Sequence, residues 1–181
     1  MNYAQRLLLA TPYLDDPNFY RAVICITDHN EDGAIGFILN RSISAGMSSI
    51  IPGFMPAEFP AFQGGPVATD TLHFLHTYGE VIPDSKALSP HLSWGGDFEF
   101  VIKLGAQKGF ETHAIRFFVG YSGWALGQLE KEIEEESWVI GPAFHTDYFT
   151  IPADQLWRKI MRSMGPKYAA MANSPDDPSL N

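Results

Sequence analysis

The chain has 181 residues, 45% hydrophobic and 18% charged, which suits one globular domain with a sizeable core rather than a disordered tract. Its net charge of −9, from 21 acidic against 12 basic residues, argues against a surface built to neutralise nucleic-acid phosphates. The 16 glycines and 13 prolines are spread along the chain and imply short elements joined by tight turns.

In chain order, residues 7–10 read as an opening strand, and 11–18 as a loop with two prolines and two aspartates. Residues 22–27 and 34–39 are apolar runs joined by 28–33, where Asp32-Gly33 signals a hairpin. Cys25, the single cysteine, falls inside the first of these runs. It cannot form an intramolecular disulfide, which fits a reducing cytoplasm and a buried apolar role. Residues 41–62 are rich in Ser, Gly and Pro and read as irregular, with a helical turn near 47–51. Gly64-Gly65-Pro66 is a turn, and 71–78 a strand. Asp97 is placed to cap a helix reaching Lys108, with Gly109 just past its end.

Residues 115–119 form a short apolar strand, and Gly120 and Gly123 are expected to turn the chain into a helix with Leu126, Leu129 and Ile133 on one face. Residues 137–140 read as a further strand, broken by Gly141-Pro142. Pro152 opens a last helix with Leu156, Trp157, Ile160, Met161 and Met164 inward, stopped by Gly165-Pro166. The expected division is one domain over 1–165 and a mobile C-terminal tail over 166–181. No run approaches a membrane span, and the first apolar stretch is too short for a signal peptide. A cytoplasmic protein with no membrane contact, no cofactor and no metal is expected. Mixed strands with few helices, without strict strand–helix alternation, predict an α+β fold: an irregular mixed or antiparallel sheet carrying a few helices.

A strand feeding a glycine turn and a helix start gathers backbone N–H groups at one spot, which suits an anion. Gly120, Tyr121, Ser122, Gly123, Trp124 and Gln128 are therefore candidate ligand-binding residues, set against a purely structural glycine turn. Gly120-Tyr121-Ser122-Gly123-Trp124 also approaches the G-x-S-x-G nucleophile elbow, but Trp stands where a small residue is needed. Asp28, Asn30 and Asp32 imitate the start of a calcium loop. Its twelfth position would be Leu39 instead of Glu, which favours a solvated turn. His73 and His76 would point to opposite faces of a strand, which disfavours a shared metal. Glu130, Glu132 and Glu134–Glu136 form an acidic helix face with repulsive i,i+4 pairs. It reads as a solvated face, or as a docking surface for a basic partner through Glu130 and Glu132.

The stretch Gly120-Tyr121-Ser122-Gly123-Trp124, continuing through Gly127-Gln128-Leu129-Glu130 and Glu132 to Trp138, resembles the signature of the YqgE/AlgH family of bacterial proteins. Further blocks occur in the family's order: Leu9-Ala10-Thr11-Pro12, Asp16-Pro17 with Phe19, Gly36-Phe37-Ile38-Leu39-Asn40-Arg41, Gln63-Gly64-Gly65-Pro66-Val67 and Leu75-His76. The resemblance spans nearly the whole chain. It implies a compact, irregular α+β fold, adds Asn40, Arg41, Gly64 and Gly65 as candidate ligand-binding positions, and brings a label as regulators of transcription without a defined activity. The expectation is a non-enzymatic protein acting by protein–protein contact, with an unidentified protein partner and a small anionic ligand near 120–128. The rivals are a hydrolase for a phosphate-bearing or acyl substrate, and a direct DNA-binding regulator, which the acidic charge disfavours.

Overall fold

The first strand shows how the core is divided. Leu7, Leu8, Leu9 and Ala10 are all buried, so both faces of this strand are covered. Leu7 and Leu9 enter one apolar cluster with Trp157 and Ile160, while Leu8 and Ala10 enter another with Trp124, Leu129 and Trp138. An unbroken apolar run in a strand is the signature of cover on both sides.

The computed structural model describes residues 2–56 and 59–175. Their strands are β1 (Arg6–Ala10), β2 (Val23–Asn30), β3 (Gly33–Ile38), β4 (Ala61–Gln63), β5 (Val67–His76), β6 (Lys86–Ser89), β7 (Leu92–Trp94), β8 (Ile115–Ala125) and β9 (Trp138–Ala143). The helices are α1 (Met47–Ile50), α2 (Phe98–Lys108), α3 (Gln128–Glu134), α4 (Ala153–Ser163) and α5 (Pro166–Ala172), with a 3-10 turn at Thr146–Phe149. The strands form a nine-stranded sheet in the order β6-β7-β5-β8-β3-β2-β1-β9, with β4 also paired to β8. Every pairing is antiparallel except β4 with β8. This is the α+β, mixed and mainly antiparallel sheet expected from the sequence.

The helix signals hold in detail. The Asp97 carboxylate accepts from Phe100 N–H at the start of α2, and Gly109 N–H donates to Gly105 carbonyl at its end. In α4, Leu156, Trp157, Ile160 and Met161 are buried, and Trp157 Nε1 donates to Ala10 carbonyl at 2.9 Å. A third apolar cluster, around Phe54, Phe59, Phe74, Val101 and Phe117, fills the space under α2. Across the sheet, Arg116 is buried with its guanidinium between the rings of Phe62 and Phe149, 4.2 and 4.5 Å from their centroids. It donates to Leu39 carbonyl at 2.7 Å and Phe149 carbonyl at 2.6 Å, and burial brings its pKa down to about 10.

Four element readings need correction. The β8 strand does not turn at Gly120 but runs on to Ala125, because its second half pairs with β3 from Gly36↔Ser122 to Gly33↔Ala125. Tertiary pairing here overrides the local turn signal of the glycines. Likewise β9 passes through Gly141-Pro142, since Pro142 lies on a sheet-edge strand where a missing N–H is tolerated. The β6–β7 hairpin is an addition. Pro166 opens α5 rather than ending structure, and α5 buries Ala172 against the cluster that includes α4. Residues 176–181, the end of the expected tail, lie outside the described residues.

Candidate functional site

The sequence-predicted stretch meets a cavity. At the turn end of the β2–β3 hairpin, a cavity of about 490 Å³ is lined by Asp28, Asn30, Asp32 and Gly33–Ile35 on one side and by Val67, Tyr121, Gly123 and Trp124 on the other. The β8 extension creates it. Pairing with β3 lays Tyr121 to Trp124 alongside the hairpin, and the turn residues close the end.

Three of the candidates therefore share this cavity: Tyr121, Gly123 and Trp124. Tyr121 is partly buried, with its ring edge-on to His73 at 5.9 Å. Trp124 is only 6% exposed. Ser122 is fully buried and donates through Oγ to Gly64 carbonyl at 3.0 Å. The strand–turn–helix geometry of a nucleophile elbow is not formed at Ser122, and the partner of its hydroxyl is a carbonyl, not an imidazole. Gly120 takes φ +66° where β5 shifts register between Val67 and Leu72, and so serves the bulge.

The other candidates lie elsewhere. Gly64 and Gly65 let β4 hand over to β5 across β8. A Cβ on Gly64 would sit 2.2 Å from Gly120 carbonyl oxygen, and one on Gly65 would sit 2.3 Å from the Tyr121 backbone. Asn40 and Arg41 follow β3 at the far end of the hairpin. At about 3.3 Å per residue, Asn40 is roughly 20 Å along the strand from the cavity end at Gly33. Asn40 accepts from Val23 N–H at 2.8 Å and donates to Arg21 carbonyl at 2.9 Å, while Arg41 holds the carbonyls of Pro17 and Tyr20.

Gln128 accepts from Ala125 N–H at 3.0 Å and donates to Glu132 at 2.9 Å, so it braces the 125–128 turn. The helix that follows has seven residues and begins at Gly127 without a side-chain cap, and Glu130 lies in its first turn. A carboxylate already faces the positive end of the helix dipole, which weakens the case for a second anion there. Glu130 instead meets His29 Nε2 at 2.9 Å, and His29 Nδ1 accepts from Tyr3 N–H at 3.0 Å. That pattern fixes the Nε2–H tautomer when the ring is neutral.

Sequence reasoning missed what Glu132 does. One of its carboxylate oxygens accepts from the indole N–H of both Trp124 and Trp138, each at 2.8 Å. β8 and β9 stand four strand spacings apart, about 19 Å in a flat sheet. The curl of the sheet and the length of two indoles bring the rings to 5.9 Å, with Phe19 packed against both. Glu132 thus ties together two distant strands from the helix that crosses above them. The only sequence signal was Glu132 with Trp124 and Trp138, eight residues before it and six after.

Asp28 and Asp32 are the charged residues of the cavity lining. Asp28 pairs with Lys86 Nζ at 2.7 Å, Asp32 is exposed, and no Lys or Arg lines the walls. His73 and His76 leave opposite sides of β5, as an extended segment requires. His73 meets Phe37, Trp94 and Tyr121, whereas His76 Nε2 donates to Gly95 carbonyl at 2.8 Å. Burial lowers the pKa of both, opposed at His76 by the bond to Gly95. Among the described residues, no group of three or more His, Cys, Asp and Glu is placed to hold a metal ion. Nor is any helix among them long and apolar enough to cross a membrane.

The irregular, curled, mainly antiparallel sheet with its few helices is an α+β fold, and comparison with known proteins identifies its family. The model of the family described as AlgH-like matches residues 7–169, and the chain belongs to that family. It is 44% identical over 179 residues to a UPF0301 protein of Chlorobaculum tepidum, covering 97% of this chain and 94% of that one. A UPF0301 protein of Cytophaga hutchinsonii is 40% identical over 177 residues, covering 97% of each. The solution structure of the AlgH protein from Pseudomonas aeruginosa matches with a TM-score of 0.73 and 26% identity, over 94% of this chain and 93% of that one. The crystal structure of protein DIP2367 from Corynebacterium diphtheriae matches in fold with a TM-score of 0.79 at 22% identity, over 96% and 93% of the two chains. None of these names states an activity.

Proposed function

We propose that this chain works without catalysis, as a cytoplasmic protein that engages a protein partner through the hairpin-end cavity. The observation that supports this reading is the cavity lining: an aromatic wall at Tyr121, the exposed carboxylate of Asp32 beside an Asp28 already paired with Lys86, and no basic side chain among the lining residues. Such a lining suits a Lys or Arg side chain presented by a partner, held by charge and by the face of a ring. The buried, unpaired Cys25 fits a reducing compartment. A role in transcription would then run through that partner rather than through direct DNA contact. The alternative of a small anionic ligand at 120–128 is less well supported, because Glu130 and Asp32 repel it.

The test is titration of short Arg- and Lys-containing peptides into isotope-labelled protein, with Glu-containing peptides of matched length as controls. Shifts at the amides of Asp32, Tyr121 and Gly123 and at the indole N–H of Trp124 are expected with the basic peptides, and weaker shifts in Asp32→Asn. Shifts with phosphorylated metabolites or acyl thioesters, and none with basic peptides, would overturn the reading.

A further inference from the structure

One carboxylate of the cavity wall already holds a cation, and that cation belongs to the chain. Lys86 Nζ lies 2.7 Å from Asp28 Oδ2. Lys86 opens β6, the end strand of the sheet, and Asp28 lies on β2, five strand spacings away in the order. In a flat sheet that separation is about 24 Å, far beyond the reach of a lysine side chain. The curl of the sheet closes the distance, as it does for the rings of Phe37 on β3 and Trp94 on β7, 5.7 Å apart across three spacings.

The register shows why the two side chains project from the same face. Lys86 is paired with Trp94, and Trp94 with Leu75, which packs in the cluster of Phe37 and Trp157. Cross-strand partners share a face. On β2 a bulge sets the face: Cys25↔Phe37 and Ile26↔Gly36 are followed by Asp28↔Ile35. Simple alternation from Cys25 would turn Asp28 to the other side, and the extra residue returns it to the side of Phe37 and Ile35. The Lys86 ammonium is held twice, by Asp28 and by the Trp94 ring, whose centre is 5.4 Å away. A carboxylate and a ring face are also what the cavity offers to a partner's Lys or Arg. Side-chain exposures of 52% at Lys86 and 31% at Asp28 leave the pair open to exchange with a cation from outside. Asp28 lines the cavity, so its carboxylate is common to the cavity and to this internal contact.

We infer that Lys86 is an internal competitor for the cavity: a strap from β6 to β2 that a partner's cation displaces from Asp28. The inference rests on the reading of the cavity as a site for a basic side chain. Displacement frees the first residue of an end strand whose only strand partner among the described residues is β7. Occupation of the cavity therefore loosens the β6–β7 hairpin. The linkage is reciprocal, since whatever holds Lys86 on Asp28 weakens the partner by the factor with which the partner releases Lys86. An exposed ion pair supports a coupling of about twofold to fivefold.

The test uses the full chain with Lys86→Met, Lys86→Arg and Asp28→Asn, and with Lys103→Met as a control that removes the same charge from α2. Amide hydrogen exchange reads the β6–β7 hairpin, and titration of a capped Arg-containing peptide reads the cavity. Lys86→Met is expected to speed hairpin exchange and to tighten peptide binding, each by about twofold to fivefold. Asp28→Asn should speed exchange to the same extent but weaken the peptide, an opposite sign that loss of a merely structural ion pair does not produce. Lys86→Arg and Lys103→Met should match wild type in both readouts. Unchanged hairpin exchange in Lys86→Met, or unchanged peptide affinity while exchange rises, would overturn the inference. So would equal tightening in Lys103→Met, which would reduce the effect to net charge. A peptide that binds neither wild type nor Lys86→Met would overturn the reading of the cavity as well, whereas equal binding to both overturns the competition alone.

Discussion

Glu132→Ala is the most informative single perturbation of this fold. The wild-type carboxylate accepts two indole N–H bonds and one amide bond. Alanine leaves the donors of Trp124 and Trp138, both under 10% exposed as residues, without their acceptor. Each stranded donor costs about 1–3 kcal/mol, and the partial exposure of the carboxylate places the sum nearer about 3 kcal/mol than the upper limit. For a domain of this length that lowers Tm by about 6–12 °C. Glu132→Gln keeps an acceptor but loses the charge, and should cost about 1 kcal/mol. The assay is thermal and urea unfolding of both variants, repeated in a Trp124→Phe, Trp138→Phe background that removes the donors. The cost of Glu132→Ala should shrink in that background, since the carboxylate then has little left to satisfy there. A loss below about 0.5 kcal/mol, or the same loss in both backgrounds, would refute the reasoning.

Other predictions follow from the same geometry. Gly64→Ala places a Cβ against Gly120 carbonyl and should destabilise by about 3 kcal/mol or more, or yield insoluble protein; a wild-type melting curve would contradict it. Arg116→Lys cannot keep both carbonyl bonds and the stack between Phe62 and Phe149, so urea unfolding should show a loss of about 2–3 kcal/mol. The histidines set an acid limb. Burial lowers the folded-state pKa of His76, and of His73, below the ordinary 6.5, so the unfolded chain takes up these protons first. The stability they contribute is complete above about pH 6.5 and is lost as pH falls from there toward the folded-state values. Unfolding free energy measured between about pH 7.5 and 5 should therefore decline, and less steeply in His76→Gln.

What the sequence revealed follows from where local and tertiary preferences agree. At α2, the Asp97 cap, the apolar spacing and Gly109 all point the same way. In α4 the spacing of Leu156, Trp157, Ile160 and Met161 named its buried face. At β8 they disagree. Gly120 and Gly123 read as a turn, yet two ladders from β3 and β5 hold the backbone extended, and neither ladder is visible in a local window. The same long-range pairing decided which candidates line the cavity. Tyr121, Gly123 and Trp124 reached the cavity because they lie opposite the hairpin, while Asn40 and Arg41 went to its far end. The acids of α3 read as one solvated face because i,i+4 spacing sees only the helix. Glu130 and Glu132 found partners on β2, β8 and β9, which helical periodicity does not encode.

The pairing of β1 with β9 couples the order of synthesis to the order of folding. Leu8 leaves the ribosome 132 residues before Ile140, its cross-strand neighbour. At about 5–20 residues per second the outer edge of β1 waits roughly 7–26 s for its partner. Ala10 carbonyl waits longer still, for Trp157. During that interval the β1–β2–β3 meander can form, but it presents an open edge carrying Leu7, Leu8 and Leu9. A nascent chain stalled before Trp138 is thus exposed to aggregation along that edge. Completion of β9 is the event that covers the apolar edge of β1.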